Sequence, residues 1–271
     1  MRVEIDQLVK RYGAHFELNV PSLEIEEGAL FGLVGNNGAG KTTFLRLVLD
    51  LVYADEGLVR VGGRQIAGRD DWKVDVGSYL DESFLLDFLT ADEYLDFVGA
   101  TYGMTREDVQ AALDPYRPLF TDQVLGSRTR YIRDFSLGNR KKVGIVAAMV
   151  MRPRLLILDE PFANLDPGSQ RRLLKMIRDL NQEAGTTAII SSHDIGHVVE
   201  ICDRIAVLEE GRIVRDLRTS EETLPELKSY FDRERVAPGP METGTTGEVA
   251  SDAAEQDGAQ PAGTRNTASA A

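Results

Sequence analysis

The chain has 271 residues, with 44 acidic against 31 basic side chains and a formal charge of −13. Its hydrophobic content of 42% is ordinary for a globular protein, and its longest nearly unbroken apolar run, residues 143–151, falls well short of the about 20 residues that span a bilayer. The single cysteine, Cys202, excludes an internal disulfide and a cysteine zinc cluster, while the acidic balance argues against broad attraction to nucleic acid or anionic lipid.

The opening Met1-Arg2-Val3-Glu4-Ile5-Asp6 is charged and lacks the apolar core of a signal peptide, so a cytosolic protein is expected. Residues 3–9 and 15–25 alternate weakly around Gly13, like an antiparallel lobe. Residues 29–34 form a short apolar run that leads into a helical pattern through Lys41, Phe44, Leu45, Leu47, Val48 and Leu51. Residues 84–151 read as mostly helical and separate two strand regions, which suggests an inserted helical subdomain. Leu155-Leu156-Ile157-Leu158 is continuously apolar, as a parallel strand buried on both faces should be. Strands over 186–190 and 205–208 then alternate with helices over 167–183 and 194–202. The pattern predicts an α/β domain built on a parallel sheet. From residue 236 to 271 there is no aromatic side chain, and five acids face Arg265 alone, so the folded domain is expected to end near 235 and the tail to be disordered.

Gly35-Asn36-Asn37-Gly38-Ala39-Gly40-Lys41-Thr42 matches the phosphate-binding pattern G-x-x-x-x-G-K-[ST], followed by Thr43. Its glycines let backbone N–H groups converge on phosphate oxygens, Lys41 supplies a point charge, and the Thr42 hydroxyl can ligate Mg²⁺. The following helix adds the positive end of its dipole. Asp159-Glu160 follows the buried strand directly. A carboxylate in that position beside a phosphate loop is suited to holding magnesium, and Glu160 is suited to polarising a water. No guanine-reading Asn-Lys-x-Asp motif occurs, which disfavours a GTPase.

With these residues in place, residues 1 to about 232 resemble the ATP-binding subunit of an ATP-binding cassette (ABC) transporter. Phe135-Ser136-Leu137-Gly138-Asn139 resembles the family's Leu-Ser-Gly-Gly-Gln signature. Ala163-Asn164-Leu165-Asp166-Pro167 resembles the loop at the dimer interface, and Ser191-Ser192-His193-Asp194 resembles the histidine switch. The resemblance implies an α/β P-loop NTPase fold: a RecA-like core with a parallel sheet, an N-terminal antiparallel β lobe and the helical subdomain. It further implies two cassettes sandwiching two ATP molecules, with Ser136 and the backbone near Gly138 approaching the γ-phosphate held by the partner's phosphate loop. Glu160 would orient the water, His193 would hold the γ-phosphate geometry, Asp166 would couple the two sites, and Tyr12 would stack on adenine. The implied cofactors are ATP and Mg²⁺. The implied partners are a second cassette and a transmembrane permease that holds the chain at the inner face of the membrane, with no nucleic acid.

Two departures from the family pattern stand out. Aligning Val76-Gly77 with the usual Ile-Gly puts Asp81 where glutamine is common, so a carboxylate would stand near the metal without an amide's ability to donate. The signature carries Leu137 and Asn139 at its third and fifth positions. The stretch 84–103, with Phe88-Leu89-Thr90 and Glu93-Tyr94-Leu95, resembles the export-type branch more than the importers. A soluble ABC ATPase acting on DNA, ribosomes or iron–sulfur assembly is the rival reading.

Other features have plainer readings. His193 and His197 are spaced like a zinc-binding helix but lack its glutamate and a further ligand, so His197 reads as a polar helix position. Arg140-Lys141-Lys142 reads as a solvated basic face, and Cys202 as a core cysteine.

Overall fold

A computed structural model describes residues 1–120 and 124–236; the expectation of a disordered tail over 236–271 falls almost wholly outside them. Among the described residues, ten strands form one sheet. The N-terminal strands β1 (Val3–Tyr12) and β2 (Phe16–Ile25) pair antiparallel about Gly13, and the short central strand β3 (Leu30–Val34) follows. Helix α1 (Lys41–Val48) leads to β4 (Glu56–Val61) and β5 (Arg64–Gln65), which extend the antiparallel lobe from β1. Strand β6 (Val76–Tyr79) opens onto helices α2 (Ala91–Thr101), α3 (Arg106–Ala112) and α4 (Leu137–Met149). Then come β7 (Leu155–Asp159), α5 (Pro167–Ala184), β8 (Thr187–Ser192), α6 (Ile195–Ile201), β9 (Arg204–Glu209), β10 (Arg212–Arg218) and α7 (Thr223–Val236).

The order across the sheet is β5-β4-β1-β2-β10-β9-β3-β8-β7-β6. Strands β9, β3, β8, β7 and β6 are mutually parallel, and β10 joins this half to the lobe by pairing antiparallel with β9 and meeting β2 at Arg212 and Asn19. The unbroken apolar run of β7 is explained by its two faces. Leu155 and Ile157 join Phe44, Leu45 and Val48 of α1 and the lobe residues Leu8, Leu18 and Val20 in one core. Leu156 and Leu158 join Ile145 and Val146 of α4 and Leu173 and Ile177 of α5 in the other.

The helical subdomain begins with a capping box, in which Thr90 caps α2 while the Glu93 carboxylate accepts a hydrogen bond from the Thr90 amide. Leu85, Ala91, Ile132, Phe135 and Val143 form its own small core. Helix α4 belongs to both bodies: Val143 sits in that small core, whereas Ile145, Val146 and Met149 sit in the main one. The helix therefore joins the subdomain's core to that of the sheet.

Candidate active site

Strand β3 ends at Val34, and the chain turns tightly through Gly35 to Gly40 before α1. Gly40 caps that helix at φ 108°, a conformation that glycine alone adopts cheaply. Gly35 lies against the end of β9, where an added Cβ would come within 2.2 Å of the Leu208 carbonyl oxygen. The turn leaves the first amides of α1 free of intrahelical partners and facing an anion-favouring dipole. Lys41 Nζ folds back to donate to Gly35 O at 2.7 Å and Asn36 O at 3.3 Å.

The carboxylates reach the loop from β7. Thr42 Oγ1 donates to Asp159 Oδ2 at 2.5 Å, although 117 positions separate the two residues. The register of β7 against β8 sets Asp159 beside Ser191, whose hydroxyl donates to Asp159 Oδ1 and accepts from Glu160 N at 3.0 Å. Glu160 adopts φ 47°, a left-handed backbone that a side chain other than glycine occupies at a cost. Its carboxylate spans the site. Oε1 lies 3.2 Å from Lys41 Nζ, and Oε2 lies 2.8 Å from His193 Nδ1 just beyond β8. Despite that ion pair, Oε1 is buried and has no aligned hydrogen-bond donor among the described residues.

These groups enclose a cavity of about 300 Å³. Asn36, Asn37, Gly38, Gly40, Lys41, Thr42, Thr43, Asp159 and Glu160 line it, with Gly35 and the buried Ala39 in the loop itself. His193 lines a second cavity of about 270 Å³ that shares Glu160 with the first. One lining residue escaped the sequence reading. Phe16 stands in register opposite Tyr12 across the β1–β2 hairpin, their ring centroids 6.3 Å apart, and Phe16 rather than Tyr12 forms the wall. Tyr12 is exposed beside it. The hairpin pairing was the signal that could have found Phe16.

Ser136, Gly138 and Asp166 do not line this cavity within one chain. Ser136 caps α4, and Gly138 packs under the Asn164 carbonyl oxygen. Asp166 caps α5, accepting from Ser169 N at 2.9 Å and Ser169 Oγ at 2.5 Å. Those two hydrogen bonds, aided by Lys142 at 3.7 Å, push its carboxyl down to about 2. The three residues thus occupy a separate surface of the chain.

Asp81 does not line the phosphate-loop cavity: its Oδ1 accepts from Ser83 N at 2.8 Å and from the Ser83 hydroxyl, capping its own short 3₁₀ turn. One expectation is corrected. The basic cluster is not a solvated face. Lys141 and Lys142 are only 5% and 7% exposed, Lys141 Nζ donates to Glu160 O at 2.9 Å, and Arg140 donates to Phe135 O at 3.2 Å. Cys202 is buried beside Gly32 in the core, and burial raises its thiol.

Chemically, the arrangement offers a backbone cradle, one cation, a hydroxyl–carboxylate pair and a second carboxylate held by a histidine. Comparison with known proteins identifies it. The family model described as ABC transporter matches residues 18–163. The bacitracin transport ATP-binding protein of Enterococcus faecalis is 33% identical over 81% of this chain and 70% of its own length. A methionine import ATP-binding protein of Cupriavidus pinatubonensis is 31% identical over 80% of this chain and 65% of its own. In fold, the chain is similar to a dimeric ATP-binding cassette in a post-hydrolysis state bound to ADP and Pi, with a TM-score of 0.71, 22% identity, and 80% of this chain and 99% of that one covered. The chain belongs to the ABC transporter family, as an ATP-binding subunit that hydrolyses ATP to energise transport through a separate membrane-spanning partner.

Proposed function

We propose that ATP binds with its phosphates in the cavity between the glycine loop and the end of β7, and that Glu160 activates the attacking water there. The observation that carries this reading is the convergence of Lys41, Thr42, Asp159 and Glu160 on one cavity of about 300 Å³. Lys41 and the first amides of α1 hold the β- and γ-phosphates. Glu160 takes the proton of the water, and His193 keeps that carboxylate oriented through its 2.8 Å contact. Tyr12, exposed beside the lining residue Phe16, stacks on adenine.

Thr42 and Asp159 are hard oxygen donors already in contact, and they would hold Mg²⁺. Held by these residues, such an ion would supply charge neutralisation for the transferring phosphoryl group. Asp81, whose Oδ1 accepts from Ser83, would add a carboxylate oxygen for water bound to that ion.

Ser136, Gly138 and Asp166 act in the second half of the site, against the nucleotide of another cassette. Their placement away from the cavity of their own chain supports that division, and the likeness to a dimeric cassette agrees with it in fold. The domain extends over residues 1–235 with its helical subdomain at about 84–151, and works at the cytoplasmic face of the membrane on a permease, with no nucleic-acid partner. Among the described residues no helix is long and apolar enough to cross a membrane. The direction we propose is export, on the resemblance of 84–103 to that branch; the two relatives above, a bacitracin system and a methionine importer, leave direction to a transport assay in oriented vesicles.

Affinity purification from native membranes in mild detergent tests the assembly. A polytopic protein in comparable amount is the expected companion. Recovery with a soluble complex instead would overturn the permease assignment and favour the soluble-ATPase reading.

A further inference from the structure

Lys141 lies in the second turn of α4, on the helix that opens with Ser136, and is almost wholly buried. An ammonium taken out of water is costly unless something specific receives it. Here the receiver is not a carboxylate but the main-chain carbonyl of Glu160, at 2.9 Å. The stem runs past Tyr79, whose ring centroid lies 5.9 Å from Nζ and whose hydroxyl is itself tied to Glu82 at 2.6 Å. Burial pushes the Lys141 ammonium down, while the charges of Glu82, Glu160 and Asp159 work against that fall.

The carbonyl that Lys141 holds belongs to the residue with the strained backbone. Glu160 sits at φ 47°, one position beyond the end of β7, where strand pairing no longer fixes it. Its backbone is held at three points. The amide donates to Ser191 Oγ at 3.0 Å, the carbonyl accepts from Ala163 N at 3.3 Å, and Lys141 supplies the third bond from another element. The first two come from the same sheet and turn. Only the third links the Glu160 peptide to the helix that carries the signature residues.

We propose that Lys141 is a positioning residue for hydrolysis: by holding the Glu160 carbonyl it fixes the direction of the Glu160 carboxylate and makes that direction depend on the seating of α4. This rests on the reading of Glu160 as the general base. The tether acts through Glu160 alone, so it sets the rate of the chemical step and leaves the phosphate cradle intact. A displacement near 1 Å at a reacting group can cost about a hundredfold in rate, so losing a tether of this kind is worth at least about tenfold.

The test is steady-state ATP hydrolysis, nucleotide binding and thermal melting of the full chain carrying Lys141→Met, alone and combined with Glu160→Gln. Lys141→Met should lower kcat about tenfold or more while KM and nucleotide affinity stay within about twofold. In the Glu160→Gln background the same change should leave nucleotide affinity and ATP-dependent association unaltered. Wild-type kcat in Lys141→Met overturns the proposal. So does a loss of binding and melting temperature that recurs unchanged in the Glu160→Gln background, because that is the mark of a purely structural lysine. If Lys141→Met does not fold, Lys141→Gln, which keeps polarity but shortens the reach, is judged by the same criteria. Near-normal hydrolysis by Glu160→Gln alone instead overturns the general-base reading, and does so independently of Lys141.

Discussion

Lys41 Nζ and Glu160 Oε1 stand 3.2 Å apart, so the cation of the phosphate loop and the carboxylate beyond β7 partly neutralise each other before any phosphate arrives. In the proposed site, a phosphate bound by Lys41 would compete with Glu160 for the same cation, so that one contact would bear on both binding and hydrolysis.

Two substitutions separate the roles of that pair. Lys41→Ala should abolish measurable ATP binding by calorimetry, and retained micromolar affinity would contradict the cradle. Glu160→Gln should leave ATP binding as tight or tighter, because Lys41 loses its competing partner, while turnover falls by about 10²–10⁴, the usual worth of a general base. A rapid-quench assay reads the second effect directly.

Ser191 serves two neighbours at once, donating to Asp159 and accepting from the Glu160 amide. Ser191→Ala leaves a buried N–H without its partner and removes a donor from the Asp159 carboxylate. Each unmade bond of this kind costs about 1–3 kcal/mol. The variant should melt several degrees lower and hydrolyse ATP more slowly, whereas Ser191→Thr, which keeps the hydroxyl, should fall between. A Ser191→Ala protein with unchanged melting temperature would remove the hydroxyl from this account.

Asp166 gives the acid limb of stability a recognisable contributor. Its folded carboxyl, at about 2, lies below the ordinary 3.8, so its contribution is complete above the ordinary value and disappears as pH falls from about 4 towards 2. The side chain is 61% exposed, so water damps the effect, and its size is that of a helix cap, about 1 kcal/mol. Ser169→Ala removes the donors' side-chain half and should raise the Asp166 carboxyl, making this acid-dependent loss shallower. NMR titration of the Asp166 carboxyl carbon measures the shift, and urea melts at pH 2.5 and pH 6 measure the consequence.

The phosphate loop was legible because its chemistry is local: glycines that bend the chain, a lysine and a threonine are contiguous and open a helix. Asp159-Glu160 was legible because the apolar run before it reads as a strand buried on both faces. The outline of alternating strands and helices followed in the same way, though β4, β5, β10 and α7 did not, since β10 (Arg-Ile-Val-Arg-Asp-Leu-Arg) carries too many charges to show a strand pattern.

What the linear order could not reveal were the contacts made across the fold. Ser191 meets Asp159 through the pairing of β7 with β8, and Phe16 takes the cavity wall through a hairpin register. Lys141 and Lys142 look like a wet basic surface until α4 is set against the sheet and buries them. Asp81 Oδ1 caps a local turn at Ser83, a contact that the alignment did not show. The amino-acid sequence by itself determined the cradle and its carboxylates, because bending preference and burial are properties of short segments. Only the tertiary structure decided how those carboxylates are aimed, because their hydrogen-bond partners come from strands and helices that long-range packing alone brings together.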